Sequence, residues 1–115
     1  MLTQPHRFHG HNSLRYVYRH GQAVRTSQLI VRHLDNPRRT ASRFSVVVSK
    51  KVLKSAVLRN RVRRRLYEIV RHELPTLRSG VDVVLIVVSP EVLTLDHATL
   101  NGLVRQLFAS GRLYK

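Results

Sequence analysis

The sequence of 115 residues has no cysteine, only six acidic residues and only five glycines, and these shortages exclude several classes of protein. Without cysteine, neither disulfides nor thiolate metal sites can form. The glycines form no phosphate-binding loop, and the sequence contains no carboxylate pair or nucleophile elbow, so catalysis by the polypeptide alone is not expected. No apolar run approaches the roughly 20 residues that span a bilayer. We therefore expect a cytoplasmic chain with no membrane partner.

Positive charge dominates the composition. The chain carries 21 Lys and Arg against six acids, which gives a net charge of +15 and a sequence pI of about 11.8. Because the hydrophobic fraction of 43% is ordinary, a single globular domain over residues 1–115 is expected. Nucleic acid is the partner that this charge favours most, because basic side chains that neutralise its phosphates release condensed counterions, and this release drives binding. Seventeen of the basic residues are arginine, whose planar guanidinium matches phosphate geometry.

The basic residues concentrate between Ser49 and Leu74, and this stretch predicts a helix with two different faces. Apolar residues recur there at three- and four-residue steps and should pack on a core: Leu58, Val62, Leu66, Ile69 and Val70. The opposite side is basic, and no acid occurs from Asn36 to Tyr67, a span with eleven Lys and Arg. A solvated helix is the simpler interpretation of a charge run, but such helices normally mix signs. The pattern therefore favours a phosphate-binding face.

The N-terminal residues predict an arm followed by a short helix. Residues 1–11 should form a flexible arm, and its His9 and His11 are better explained as mobile residues than as a metal pair. A helix is expected from about Leu14 to His20, closed by Gly21 in the left-handed conformation.

Tyr16 and Tyr18 alternate with Arg15 and Arg19 on that helix. Such interleaving of rings and positive charges is typical of surfaces that bind single-stranded nucleic acid. Core packing explains one of the two tyrosines equally well, so one of the pair should be exposed.

The remaining elements alternate strands with helices. The expected elements are a strand within 22–34 centred on Leu29–Val31, a strand at 43–49, the basic helix from about 57 to 74, a doubly covered central strand at 81–88, and a last helix capped by Asp96 with Gly111 past its end. This order predicts an α+β or α/β sandwich with one sheet.

A lysine pair and an arginine-rich helix follow one another in the chain. Ser49-Lys50-Lys51-Val52 leads into Ala56 to Arg65, with Arg-Asn-Arg at residues 59–61. This combination closely resembles the signature of the bacterial ribonuclease P protein subunit. Arg7-Phe8, His20-Gly21 and the C-terminal Leu-Tyr-Lys are also similar to family members, so the resemblance covers nearly the whole chain.

The resemblance implies a fold and a function. The fold is α+β, a two-layer sandwich of one roughly four-stranded sheet with helices in the order αβββαβα and a left-handed βαβ crossover. The function is that of a protein subunit which binds the catalytic ribonuclease P RNA and precursor tRNA, and which aids endonucleolytic removal of the 5′ leader. Mg²⁺ and the catalytic groups are expected to be held mainly by the RNA.

The resemblance also implies two groups of site residues. Contacts to the RNA subunit are expected at Lys50, Lys51, Lys54, Arg59, Asn60, Arg61, Arg63, Arg64 and Arg65. The leader of precursor tRNA is expected in a cleft between the sheet and the first helix, at Phe8, Leu14, Tyr16, Tyr18 and Arg32. No catalytic or metal-binding residue is expected in the protein.

Three positions depart from the family pattern. Leu14 stands where a second cleft aromatic is common, so stacking there would be replaced by apolar contact or by Tyr16. Arg32 stands at a strand position that is often aromatic, which would shift leader binding toward phosphate attraction. Leu53 stands where glycine is usual, so the turn before the basic helix must form without a positive φ.

Three other functions are compatible with the charge. A ribosomal or RNA-chaperone protein would bind RNA without a role in cleavage, and it is the main alternative. A DNA-binding protein would need a second capped helix to form a helix-turn-helix, and the sequence does not predict one. A nuclease acting without RNA would need acids to hold its metal, and acids are scarce.

Overall fold

Three α-helices and four strands make up the part of the chain that the structure describes. The structure is a computed structural model, and it describes residues 11–38 and 40–115, with side chains from residue 14 onward. The elements are α1 (His11–His20), β1 (Gln22–Arg25), β2 (Leu29–Asp35), β3 (Arg43–Val48), α2 (Ala56–Glu73), β4 (Val81–Val87) and α3 (His97–Ser110). Two short 3-10 helices lie at Leu74–Thr76 and Pro90–Leu93.

The strands form one mixed sheet in the order β1-β2-β4-β3. β2 pairs antiparallel with both β1 and β4, whereas β3 pairs parallel with β4. β4 is buried along nearly its whole length, as the mostly apolar run at 81–88 predicts for a central strand. The α+β class, the four-stranded sheet and the order αβββαβα are confirmed, while the left hand of the β3-α2-β4 crossover stays a prediction.

One hydrophobic core lies between the sheet and helices α2 and α3. Alternate strand residues supply one side of it: Leu29, Val31, Phe44, Val46, Val48, Val81, Val83, Leu85 and Val87. The helices supply the other side: Val62, Leu66, Ile69, Val70, Leu100, Val104, Leu107 and Phe108. The apolar stripe predicted for the basic helix is therefore confirmed, with Leu58 half-buried at its margin.

Helix α1 packs against β2 and β4 on the second face of the sheet. Val17 of α1 and Val84 of β4 are both fully buried, yet neither belongs to the core beneath α2 and α3. Because Val84 lies between two core residues of a strand, its side chain points to the opposite face. Helix α1 thus covers part of that face.

A buried ion pair joins β3 to β4 on this second face. Nε and Nη2 of Arg43 donate to the two carboxylate oxygens of Asp82 at 2.8 and 2.7 Å. Nδ2 of Asn36 donates to the same carboxylate at 3.0 Å. Both charged side chains are at least nine-tenths buried, so the pair is held in fixed geometry.

Helix α2 begins later than the basic run that precedes it. The hydroxyl of Ser55 accepts from the backbone N–H of Leu58 at 3.3 Å and caps the helix, and Pro75 lies in the 3-10 turn after its end. Leu53 reaches into the core, so the turn that lacks glycine is stabilised by apolar burial. The helix also covers the free edge of β3, because the hydroxyl of Tyr67 accepts from the N–H of Val46 at 3.1 Å.

Gly111 lies just past the end of α3, as expected, but the left-handed conformation expected at Gly21 is wrong. Neither Gly21 nor Gly111 has a positive φ; the residue that adopts φ 57° is Arg112, one position later. Gly21 is required for space instead, since a Cβ there would lie 2.6 Å from the carbonyl oxygen of Val17 and 2.8 Å from that of His33. Glycine is needed at this position because the two backbone segments come too close for any side chain.

Two element boundaries also differ from expectation. The single strand expected within 22–34 is two strands, because the hydroxyl of Thr26 accepts from the N–H groups of Gln28 and Leu29 and turns the chain. His11, expected as the last residue of the arm, is the first residue of α1, and the rest of the arm lies outside the described residues. Among the described helices, none is long and apolar enough to cross a bilayer.

Candidate nucleic-acid interface

The outer face of α2 presents two arginines without a partner in the described part of the chain. Arg61 and Arg64 are exposed, and neither makes a hydrogen bond or ion pair with a described residue. The opposite face of the helix is fixed in the core by four fully buried residues, each contributing about 1.5–3 kcal/mol. Repulsion between like charges costs a few tenths of a kcal/mol per pair. Core packing therefore holds the charges together despite their repulsion.

Two further arginines of the predicted RNA-binding set bind the protein's own backbone. Nη1 of Arg59 donates to the carbonyls of Leu53 and Lys54 at 2.9 and 2.8 Å, and so fixes the loop before α2. Arg65 is half-buried, and its guanidinium donates to three carbonyls of residues 92–95 at 2.5 to 3.1 Å. The hydrogen bonds of both side chains therefore stabilise the fold.

The other predicted RNA-binding residues surround these positions. Nη1 of Arg63 donates to Oδ1 of Asn60 at 2.9 Å, which orients the side chain of Asn60 one turn away on the helix surface. Lys50, Lys51 and Lys54 are exposed in the loop between β3 and α2. The structure therefore places the predicted residues in the loop before α2 and around the outer side of its first half.

Acidic partners are found elsewhere in the chain. Arg43, Arg71, Arg78 and Arg105 each pair with an Asp or Glu within 4 Å. Within the described residues, none of the arginines at positions 59, 61, 63, 64 and 65 has such a pair. The positive charge of this half of α2 is thus uncompensated.

An apolar residue lies among the free arginines. Val57 is 67% exposed, and it lines a hollow of about 280 Å³ together with Arg61, Arg64 and Arg65. Sequence reasoning missed Val57, although its position four residues before Arg61 places it on the same helix face. Val57 therefore contributes a small apolar area between these arginines.

Tyr18 and Arg32 meet on the second face of the sheet, beside α1. Nη2 of Arg32 donates to the carbonyl of Tyr18 at 2.6 Å and to that of Gly21 at 3.4 Å. The guanidinium carbon lies 5.8 Å from the centre of the Tyr18 ring, a cation-π distance. Tyr18 stays 39% exposed, and partial burial raises the pKa of its hydroxyl while Arg32 opposes the rise. Ring and guanidinium lie together between the sheet and α1, at the position where the leader cleft is expected.

Tyr16 lies apart from this cleft. It is 59% exposed, and its ring contacts that of His20 at 4.5 Å between centroids, on the other flank of α1. Leu14, one turn before Tyr18, is half-buried on the Tyr18 flank. Phe8, the remaining predicted cleft residue, lies outside the described residues.

Three half-buried apolar residues on the same sheet face were not singled out in the sequence analysis. Ile30 pairs in register with Ile86, which pairs in turn with Val47, and all three are half-buried. Side chains alternate between the two faces of a sheet along each strand, so residues separated by an even number of positions share a face. Each of the three is separated in this way from a residue already placed on the face of Arg32. Strand alternation was the signal that could have found them.

The described residues contain no group of three or more His, Cys, Asp or Glu close enough to hold a metal ion. His9 and the side chain of His11 lie outside the described part, so the prediction about that pair stays a prediction.

Comparison with known proteins decides the family. The ribonuclease P family model matches residues 2–111. The chain belongs to the ribonuclease P protein family. The ribonuclease P protein component of Synechocystis sp. is 36% identical over 93 residues, covering 81% of this chain and 74% of the relative. That of Cyanothece sp. is 31% identical over an alignment of 128 positions, covering 98% and 97%.

Solved ribonuclease P proteins share the fold. The Staphylococcus aureus RNase P protein superposes with a TM-score of 0.85 at 19% identity, covering 96% of this chain and 98% of that one. The Thermotoga maritima RNase P protein gives a TM-score of 0.81 at 21% identity, covering 95% and 98%. As a ribonuclease P protein, the chain is the protein subunit of a ribonucleoprotein of tRNA 5′ processing, and its partner is the ribonuclease P RNA.

Proposed function

We propose that α2 and the lysines before it bind the phosphates of the ribonuclease P RNA, and that the RNA carries out the cleavage chemistry. The observation that carries this proposal is the set of five arginines between residues 59 and 65, none with an acidic partner in the described chain. Uncompensated charge on a rigid helix is stabilised when a polyanion arrives, because condensed counterions are released.

These arginines have two different roles. Arg61 and Arg64 have free guanidinium groups and supply bidentate contacts to phosphate. Arg59 and Arg65 fix the loop before α2 and the segment after β4, so they hold the surface in the shape that the free pair requires. Mutation of Arg61 or Arg64 should therefore weaken RNA binding, whereas mutation of Arg59 or Arg65 should mainly destabilise the fold.

The cleft beside α1 is proposed to receive the 5′ leader of precursor tRNA. Single-stranded RNA is bound by rings that stack on bases and by nearby cations that attract phosphates, and Tyr18 with Arg32 supplies both. The apolar side chains of Ile30, Val47 and Ile86 suit the face of an unstacked base. Binding there favours precursor over mature tRNA, since mature tRNA has no leader.

Mg²⁺ is assigned to the RNA subunit in this proposal. It prefers octahedral oxygen ligands and keeps several waters, which phosphate groups provide, and the described residues do not offer a carboxylate cluster for it. The protein's contribution is to offset charge where RNA segments crowd together and to hold the substrate in position. The RNA should therefore need a lower magnesium concentration for cleavage when the protein is bound.

Reconstitution tests the proposal directly. Cleavage of a leader-bearing precursor tRNA by a bacterial ribonuclease P RNA is measured at low magnesium with and without this protein. We expect the protein to restore cleavage at the mature 5′ end. Tight RNA binding without restored cleavage would favour a ribosomal or chaperone-type role instead.

Tyr18→Ala tests the leader cleft. Loss of one stacking contact worth about 1–2 kcal/mol should reduce the ratio of affinities for precursor and mature tRNA roughly tenfold. Tyr16→Ala is the matched control, because that ring lies on the other flank of α1 and should leave the ratio unchanged. Equal losses for precursor and mature tRNA in Tyr18→Ala would show that the ring serves only the fold.

A further inference from the structure

A pocket outside both sites lies where α1, β1, β2 and the end of α3 meet. Its volume is about 290 Å³, and its walls include His20, Gln22, His33, Asp35, Arg78 and Arg112. None of these residues belongs to the basic surface of α2 or to the cleft beside Tyr18. The pocket brings two arginines and two histidines from distant parts of the chain together.

His33 forms the buried floor of this pocket. The residue is only 7% exposed, and its imidazole makes no hydrogen bond to any described residue. Burial lowers the pKa of His33, so the ring is neutral and offers one N–H as a donor. Gly111 leaves room for the ring, because a Cβ there would lie 3.1 Å from Nε2 of His33. No ring nitrogen of His33 is both fully buried and unpartnered, so the N–H opens to the pocket, where a ligand can accept it.

Arg112 and Arg78 form the charged wall. Nε of Arg78 donates to the carbonyl of Arg112 at 2.8 Å, and the acid of the lining, Asp35, lies 3.4 Å from Nη2 of Arg78. The guanidinium of Arg112 is exposed and has no partner among the described residues. Since the carboxylate of Asp35 neutralises Arg78, the positive charge of Arg112 has no counter-charge in the pocket lining.

The backbone at Arg112 ends helix α3. The N–H of Arg112 donates to the carbonyl of Ala109 at 3.0 Å, and that of Leu113 donates to the carbonyl of Phe108 at 2.9 Å. These two hydrogen bonds form a Schellman motif, whose first residue after the cap adopts a left-handed conformation, here φ 57°. The motif fixes the backbone from which the Arg112 side chain extends to the pocket.

We propose that this pocket binds a phosphate group of RNA, with Arg112 and Arg78 supplying the charge and His33 a buried hydrogen-bond donor. The inference rests on the proposed function in one respect: RNA is the polyanion with which this protein assembles. The phosphate belongs either to the RNA subunit or to precursor tRNA, and its chemistry is the same in both.

Arg112→Gly is the sharpest test, because glycine accepts φ 57° without strain and the variant should fold at least as well as the original protein. Arg38→Ala is the control: it removes one exposed arginine outside the pocket lining. Dissociation constants are measured across a salt series in two arms, one with the RNA subunit and one with precursor tRNA binding to the assembled enzyme. We expect Arg112→Gly to weaken one arm about 3- to 10-fold and to reduce the salt slope by about 1.

His33→Leu removes the donor without changing a charge. It should weaken the same arm while leaving the salt slope unchanged, and its melting temperature is recorded to exclude unfolding. The arm that responds identifies the source of the phosphate.

A loss in Arg112→Gly no larger than in Arg38→Ala, in both arms, would overturn the proposal. So would an unchanged affinity in a folded His33→Leu. Neither result affects the proposed function, which fails only if the original protein does not restore leader cleavage.

Discussion

Arg65 should stabilise the fold while its neighbour Arg64 should serve RNA binding. Removing Arg65 leaves three carbonyls of residues 92–95 without a charged donor, and at about 1 kcal/mol per hydrogen bond the loss is about 2–3 kcal/mol. An unfolding entropy of about 2 cal/mol/K per residue converts this loss into a fall in melting temperature of about 8–12 °C.

Lysine substitutions separate the two roles, because lysine keeps the charge but cannot reproduce the planar fork. Arg65→Lys should lower the melting temperature by several degrees and keep the salt dependence of RNA binding. Arg64→Lys should leave the melting temperature within about 2 °C, and Arg64→Ala should weaken RNA binding by about 1–2 kcal/mol with a flatter salt slope. Thermal melts and RNA titrations measure both quantities. Equal melting temperatures for the two lysine variants would refute the division between structural and free arginines.

Three further predictions concern stability. Gly21→Ala should destabilise the fold by about 1–3 kcal/mol in urea unfolding, because its Cβ meets backbone that cannot move aside; an unchanged midpoint would contradict this. Asp82→Ala should cost about 3–5 kcal/mol in the same assay, since the buried guanidinium of Arg43 would lose the carboxylate that neutralises it, and a loss below 1 kcal/mol would show that the site hydrates freely. Burial and a hydrogen bond to Glu73 raise the pKa of Tyr114 to about 12, above its ordinary value near 10, so the stability from its neutral form is present below about pH 10 and is lost between about pH 10 and 12. Tyr114→Phe should lack this alkaline loss in melts across that range, and identical alkaline profiles would argue against it.

The helices and the core strands were predictable because their burial is periodic. The stripe from Leu58 to Val70 repeats at helical spacing, and the run at 81–88 is apolar except for Asp82, so each pattern has one simple structural solution. The exposed pair Arg61 and Arg64 follows from the same period, because positions opposite a buried stripe must face solvent.

Contacts between distant segments were not predictable in this way. Arg65 has the same side chain as Arg64, and its structural role depends on where residues 92–95 pass, which its local sequence does not specify. Gly21 has the sequence position of a left-handed cap, but the approach of His33 from another strand determines its role. The pocket around His33 likewise assembles residues from separate elements, and no motif spans them.

The hydroxyl of Tyr67 has a consequence for aggregation. β3 lies at the edge of the sheet, and the unpaired N–H groups of an edge strand can recruit a strand from another chain. Tyr67, from the helix that carries the free arginines, accepts the N–H of Val46 and so blocks the centre of that edge. Charge repulsion between copies of the basic chain acts in the same direction, so helix α2 opposes pairing of β3 with another chain in two ways before RNA is bound.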